Sequence, residues 1–104
     1  MDLIKIKNEA FRLMADRKAH LEREKGGIYF HGDRVAKTVI HLRNVVLPND
    51  DSKDELLTIA AWFHDIAKGI EPHASYGAVL TKEALQVLVP PLMLEAICEL
   101  IATH

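Results

Sequence analysis

The stretch Ala60-Ala61-Trp62-Phe63-His64-Asp65-Ile66-Ala67-Lys68-Gly69 decides how this chain is read. It sets an imidazole and a carboxylate side by side at the end of a strongly apolar run. A carboxylate is rarely buried without a partner, because stripping its water is costly. A metal ion is one partner that resolves this. A salt bridge to Lys68 or to an arginine is the other.

The segments around this stretch read as helices. Ser52-Lys53-Asp54-Glu55 has the form of a capping box, in which Ser52 caps and Glu55 reaches back. Residues 56–68 then form a helix buried on most sides. Gly69 suits the position just past a helix end. Upstream, Leu3, Ile6, Ala10, Leu13, Met14, Arg17 and Leu21 recur at spacings of three and four, predicting a helix over about residues 2–25 that ends at Gly26-Gly27. His20 lies near its end as a surface residue. Ile28-Tyr29-Phe30 reads as a connector. His31-Gly32-Asp33-Arg34 opens a helix to about Val46, with Asp33 as N-cap or first-turn acid. Its apolar stripe is Val35, Val39, Leu42 and Val46, and His31 extends that stripe back by one turn. His41 falls off it. Pro48-Asn49-Asp50-Asp51 is a turn.

Downstream, Pro72 suits the first turn of a fourth helix. His73, Gly77, Leu80, Ala84 and Val87 or Leu88 define its face, and Gly77 leaves room for a neighbouring helix. Pro90-Pro91 interrupts the chain. Residues 92–103 form a fifth helix with Met93, Ile97 and Leu100 or Ile101 inside, and His104 continues that inner stripe. The expected architecture is all-α: a compact bundle of about five helices in one domain of 104 residues.

Composition narrows the partners. A formal net charge of −2 with no long run of one sign gives no broad nucleic-acid patch. No apolar run reaches the roughly 18 residues of a membrane span. The N-terminus lacks a signal-peptide layout. The single cysteine, Cys98, excludes an internal disulfide and a cysteine-based zinc site, and it fits a reducing, cytoplasmic setting. In its surroundings Cys98 reads as a packing residue.

Six histidines are many for such a chain. A lone inward histidine is by default a hydrogen-bonded core residue. Here His31, His64, His73 and His104 all fall at helix ends or on inward stripes, and one adjoins an acid. Imidazole nitrogen and carboxylate oxygen are ligands that manganese, iron, zinc, cobalt and nickel accept alike. Neighbouring residues on a helix point about 100° apart, so His64 and Asp65 reach one ion only if it sits beside the helix, or Asp65 bridges two.

His31 within Phe30-His31-Gly32-Asp33-Arg34-Val35, followed 33 residues later by His64-Asp65 within Trp62-Phe63-His64-Asp65-Ile66-Ala67-Lys68, resembles the HD-domain metal-dependent phosphohydrolases. His73 with Gly77-Ala78, and Ala96-Ile97 through Ile101 to His104, resemble the variant of that family that binds two metals. The likeness runs from about residue 28 onward. It implies that His31, His64 and Asp65 hold one divalent ion and that Asp65, His73 and His104 hold a second, with Asp65 shared. The ion would be manganese, iron, zinc, cobalt, nickel or magnesium. Asp65 and Lys68 would be catalytic, and Lys68, Arg34 and Lys37 would meet the substrate phosphate. The family also uses a later aspartate after the equivalent of His104. The chain is therefore expected to be the N-terminal part of a longer, C-terminally incomplete HD-type domain, whose uncovered fifth-helix face would favour homo-oligomers.

The implied activity is hydrolysis of a phosphate ester or anhydride by metal-activated water. The enzyme would be a phosphomonoesterase, a phosphodiesterase or a nucleotide pyrophosphohydrolase, and its substrate a phosphorylated small molecule, a nucleotide. Two other readings compete: an inactive metal- or nucleotide-binding module of the same fold, and a helical interaction domain with core histidines.

Overall fold

The computed structural model describes residues 1–17 and 27–104. Helix α3 (Asp54–Phe63) lies at the centre. Ile59-Ala60-Ala61-Trp62-Phe63 is buried throughout, because it offers no polar face to turn to water. Helices α1 (Leu3–Met14), α2 (Ile28–Val46) and α5 (Pro91–Ala102) pack against α3, and α4 (His73–Leu85) packs on α5. The described residues thus form an all-α bundle of five helices with no sheet.

Helix α1 buries Ile6, Ala10 and Met14, and the Asp2 carboxylate caps it by accepting from the Ile4 and Lys5 amides at 3.0 and 3.2 Å. It ends at Met14, well before the expected residue 25. The chain has turned by Arg17, whose carbonyl accepts from the Ile28 amide at 2.6 Å. His20 and the rest of the expected helix lie outside the described residues.

Helix α2 begins at Ile28, so Ile28-Tyr29-Phe30 is its first turn and not a connector. The Gly27 carbonyl accepts from Phe30 and His31, and Ile28 and Tyr29 pack into the core. Asp33 is consequently inside the helix and caps nothing. Its carboxylate accepts from the Trp62 indole at 3.0 Å and pairs with Lys37 at 3.0 Å. The face that meets the core is Ile28, Tyr29, Gly32 and Ala36. Of the expected stripe, Val35 is partly buried against the core, whereas Leu42 and Val46 are exposed. The reason is length: α2 has 19 residues and α3 only 10, so one cannot cover the other. A bidentate pair from Arg43 to Asp54, at 2.8 and 2.9 Å, joins the start of α3 to α2.

Gly32 sets the crossing of these two helices. A Cβ there would lie 2.8 Å from the Trp62 carbonyl oxygen and 3.0 Å from that of Ala61. Its absence lets the backbones approach and brings His31 beside His64.

The capping box does not form. The Ser52 hydroxyl donates to Asp50 at 2.6 Å, and the α3 N-cap is Lys53, without a side-chain bond. Helix α3 ends at Phe63, short of the expected Lys68. Residues 64–68 wind through successive turns and stop at Gly69, whose φ of 99° is the left-handed value expected there.

Pro72 is the N-cap of α4, one position before its first turn. The buried face of α4 is Gly77, Thr81 and Leu85, while Leu80 is exposed. Thr81 can be buried because its hydroxyl donates to the Gly77 carbonyl at 2.7 Å. Gly77 does permit close packing: a Cβ there would lie 3.3 Å from Ile101. Helix α5 buries Leu94, Ile97 and Ile101 and leaves Leu100 exposed. The Cys98 thiol donates to the Ala78 carbonyl, and burial raises its pKa, as suits a packing residue.

Candidate metal centre

Four elements converge on one carboxylate. His31 sits in α2, His64 and Asp65 in the turn after α3, His73 at the start of α4 and His104 just past α5. Asp65 is only 8% exposed. Its Oδ2 lies 3.4 Å from His31 Nε2 and 3.3 Å from His64 Nε2. Its Oδ1 lies 3.5 Å from His104 Nε2. The alternative of a salt bridge to Lys68 is not among these contacts; the partners at ion-pair distance, among the described residues, are three imidazoles.

Two groups of side chains place their ligand atoms within 4.8 Å of one another: His31 with His64 and Asp65, and Asp65 with His73 and His104. The structure therefore brings together all five residues singled out in the sequence. The rings are close as well, with centroids 5.3 Å apart for His31 and His64, 5.2 Å for His64 and His104, and 5.3 Å for His73 and His104. His41 is exposed on α2, outside both groups.

The ring orientations follow from local hydrogen bonds. His64 Nδ1 lies 2.6 Å from the Ala61 carbonyl, and His104 Nδ1 lies 2.5 Å from that of Ile101. A carbonyl only accepts, so Nδ1 carries the proton and a neutral ring presents its lone pair at Nε2. That is the tautomer a ligating histidine needs, with its second nitrogen held by an outer partner. At His73 the outer partner is Glu71, whose carboxylate lies 3.3 Å from both Nδ1 and the backbone amide. The sequence reading missed Glu71. An acid two residues ahead of a histidine is too common to signal by itself.

Without an ion, electrostatics favour the charged His64 ring, which also carries a proton on Nε2 and donates it to Asp65; that proton is the one a metal ion would displace. The hydrogen bond from His64 holds the Asp65 carboxyl well below the usual range, against the opposing effect of burial. The charges of His64, Lys68 and His31 add to this. Burial disfavours the charged form of His64, but its bonds to Asp65 and to the Ala61 carbonyl outweigh that and raise its pKa. A buried carboxylate that stays ionised among imidazole nitrogens is a donor set suited to a divalent cation.

The expected substrate residues stand apart from this cluster to different degrees. Lys68 is partly buried and near enough to bias Asp65. Arg34 is exposed on α2. The Lys37 ammonium is turned to Asp33. Beside the cluster, a shallow apolar groove of about 230 Å³ runs between α2, α3 and α5, with His64 and His104 in its wall.

The fold and cluster define a helical bundle with candidate metal-binding groups of histidine and aspartate. Residues 29–104 match the model of the HD domain family, and the chain belongs to that family. No curated protein and no solved structure matches the chain.

Proposed function

We propose that this protein is a metal-dependent phosphohydrolase acting on a phosphate ester or anhydride, with a nucleotide as the substrate class to test first. The observation that carries the reading is the shared carboxylate: Asp65 directs one oxygen to His31 and His64 and the other to His104. Membership of the HD domain family supports it. In this reading His31, His64 and Asp65 hold one divalent ion, and Asp65, His73 and His104 hold a second. Such an ion, when bound, supplies Lewis acidity and makes water a stronger nucleophile near neutral pH.

The remaining work falls to the chain. The Ala61 and Ile101 carbonyls keep the protons of His64 and His104 on Nδ1, so that Nε2 stays free to ligate. Asp65, ionised, would offset the charge of the cations and orient the nucleophile. Lys68 would meet a phosphate oxygen, and Arg34, three residues after His31, would assist. Lys37 serves by holding Asp33 or by leaving it for the substrate. The setting that goes with this reading is the cytoplasm. The free Cys98 supports that location, and no helix among the described residues is long and apolar enough to cross a membrane.

The test is metal analysis of protein purified without chelator, followed by hydrolysis of a generic phosphodiester and a nucleotide panel with Mn²⁺. Bound transition metal and turnover that vanishes in His64→Ala and Asp65→Ala are the expected results. Metal without turnover on any member would favour the binding module. Turnover that survives either substitution would show the assignment to be wrong.

A further inference from the structure

One buried-side contact of the candidate centre is unused by the proposed chemistry. Arg17, just after α1, donates from Nη1 to the Ile66 carbonyl and from Nη2 to the Lys68 carbonyl, the latter at 3.2 Å. Those carbonyls belong to the turn that carries His64 and Asp65. The backbone amides of that turn go to other acceptors: Ile66 to Phe63 at 3.1 Å, Lys68 to Asp65 at 2.9 Å and Ile70 to Ala67 at 2.9 Å. The guanidinium thus takes two carbonyls of the turn that follows α3, holding that turn from outside it. Its planar fork can serve both acceptors at once, which an ammonium on a flexible stem cannot reproduce.

The same residue also grips α2. Its carbonyl accepts the Ile28 amide at 2.6 Å, one turn before His31. The two segments meet closely at this junction: a Cβ on Gly27 would fall 2.1 Å from the Ala15 carbonyl oxygen. Arg17 therefore holds the start of α2 with its backbone and the 64–68 turn with its side chain. The neighbouring acid on α1, Glu9, is engaged by Arg12 and does not divert it.

We infer that Arg17 is a positioning residue that fixes His31 relative to His64 and Asp65, and so sets the first of the two ligand groups. The inference rests on reading that group as a metal site, and the experiment separates the two. In the metal-free full chain, ring-to-ring nuclear Overhauser contacts between His31 and His64 are compared with contacts between Ala78 and Cys98, far from the junction. Co²⁺ affinity and its visible spectrum are measured in parallel, for wild type, Arg17→Lys and Arg17→Met.

Loss of the His31–His64 contacts in Arg17→Met, with the Ala78–Cys98 contacts kept and partial recovery in Arg17→Lys, is the expected result. A roughly 10- to 100-fold weaker Co²⁺ affinity with an altered spectrum should accompany it, as for outer partners of metal ligands. Unchanged His31–His64 contacts in Arg17→Met would overturn the inference. So would loss of both sets of contacts in both variants, since that would mean a general structural role. A wild-type chain that takes up no Co²⁺ would refute the metal reading, while the metal-free comparison would still decide what Arg17 holds in place.

Discussion

The two ligand groups share Asp65 but are built differently. In the first, His31 lies on α2 and His64 just past the end of α3, two helices that cross at Gly32, and both flanks of the crossing are tied to Arg17. In the second, His73 leans on an exposed acid, and His104 is held by one bond to the Ile101 carbonyl. Side-chain exposure follows the same order: 18% at His64 and 24% at His31, against 29% at His104 and 36% at His73. A site held by rigid, packed elements loses less freedom when it binds an ion. The first group is accordingly expected to take the tighter ion and the second the looser one.

The largest effect should come from the residue common to both groups. Asp65→Ala is expected to remove both metal sites and drop turnover to background, read by metal analysis and by phosphodiester hydrolysis. Retention of a single ion would show that the groups do not depend on Asp65 equally. Next is Phe63→Ala, at the fully buried residue preceding His64. It should destabilise the fold by about 3–5 kcal/mol in a urea melt and weaken both groups together.

Gly32→Ala should distinguish the groups. Its new Cβ would press on the Trp62 and Ala61 carbonyls, at a cost of about 1–3 kcal/mol. Calorimetric titration with Mn²⁺ should then show the tighter ion weakened and the looser one nearly unchanged; equal weakening of both would remove the distinction. The smallest effect belongs to Glu71→Ala. It should leave stability within about 0.5 kcal/mol and weaken only the looser ion, by no more than about tenfold. An effect on the tighter ion would mean that His73 and His31 are mechanically linked.

Much of this was legible in the chain. The i, i+4 recurrence of Ile6, Ala10 and Met14 predicted the buried face of α1, and the inward phase of His31, His64, His73 and His104 anticipated their convergence. Periodicity reports the face of a helix and nothing of what covers that face. Hence Leu42 and Val46 were assigned inward, although α3 is too short to reach them all. Local motifs failed where another partner competed. Ser52 bonds Asp50, two residues back, and the start of α3 is anchored instead by Arg43 on Asp54. Asp33, well suited to cap a helix, instead receives the indole of Trp62 from 29 residues away.

The sequence alone determined which side chains could do chemistry, because residue type and helical phase are local properties. It specified a histidine-aspartate pair in an apolar helix end, three further inward histidines and the all-α class. Tertiary structure decided how those groups share Asp65, with Oδ2 on one side and Oδ1 on the other, and which ring nitrogen His64 and His104 can offer. It also revealed Arg17 and Glu71, whose roles depend on partners brought near by folding. An arginine that grips two carbonyls 49 and 51 residues along the chain leaves no periodic trace. Its meaning arises only when α1, α2 and the 64–68 turn meet.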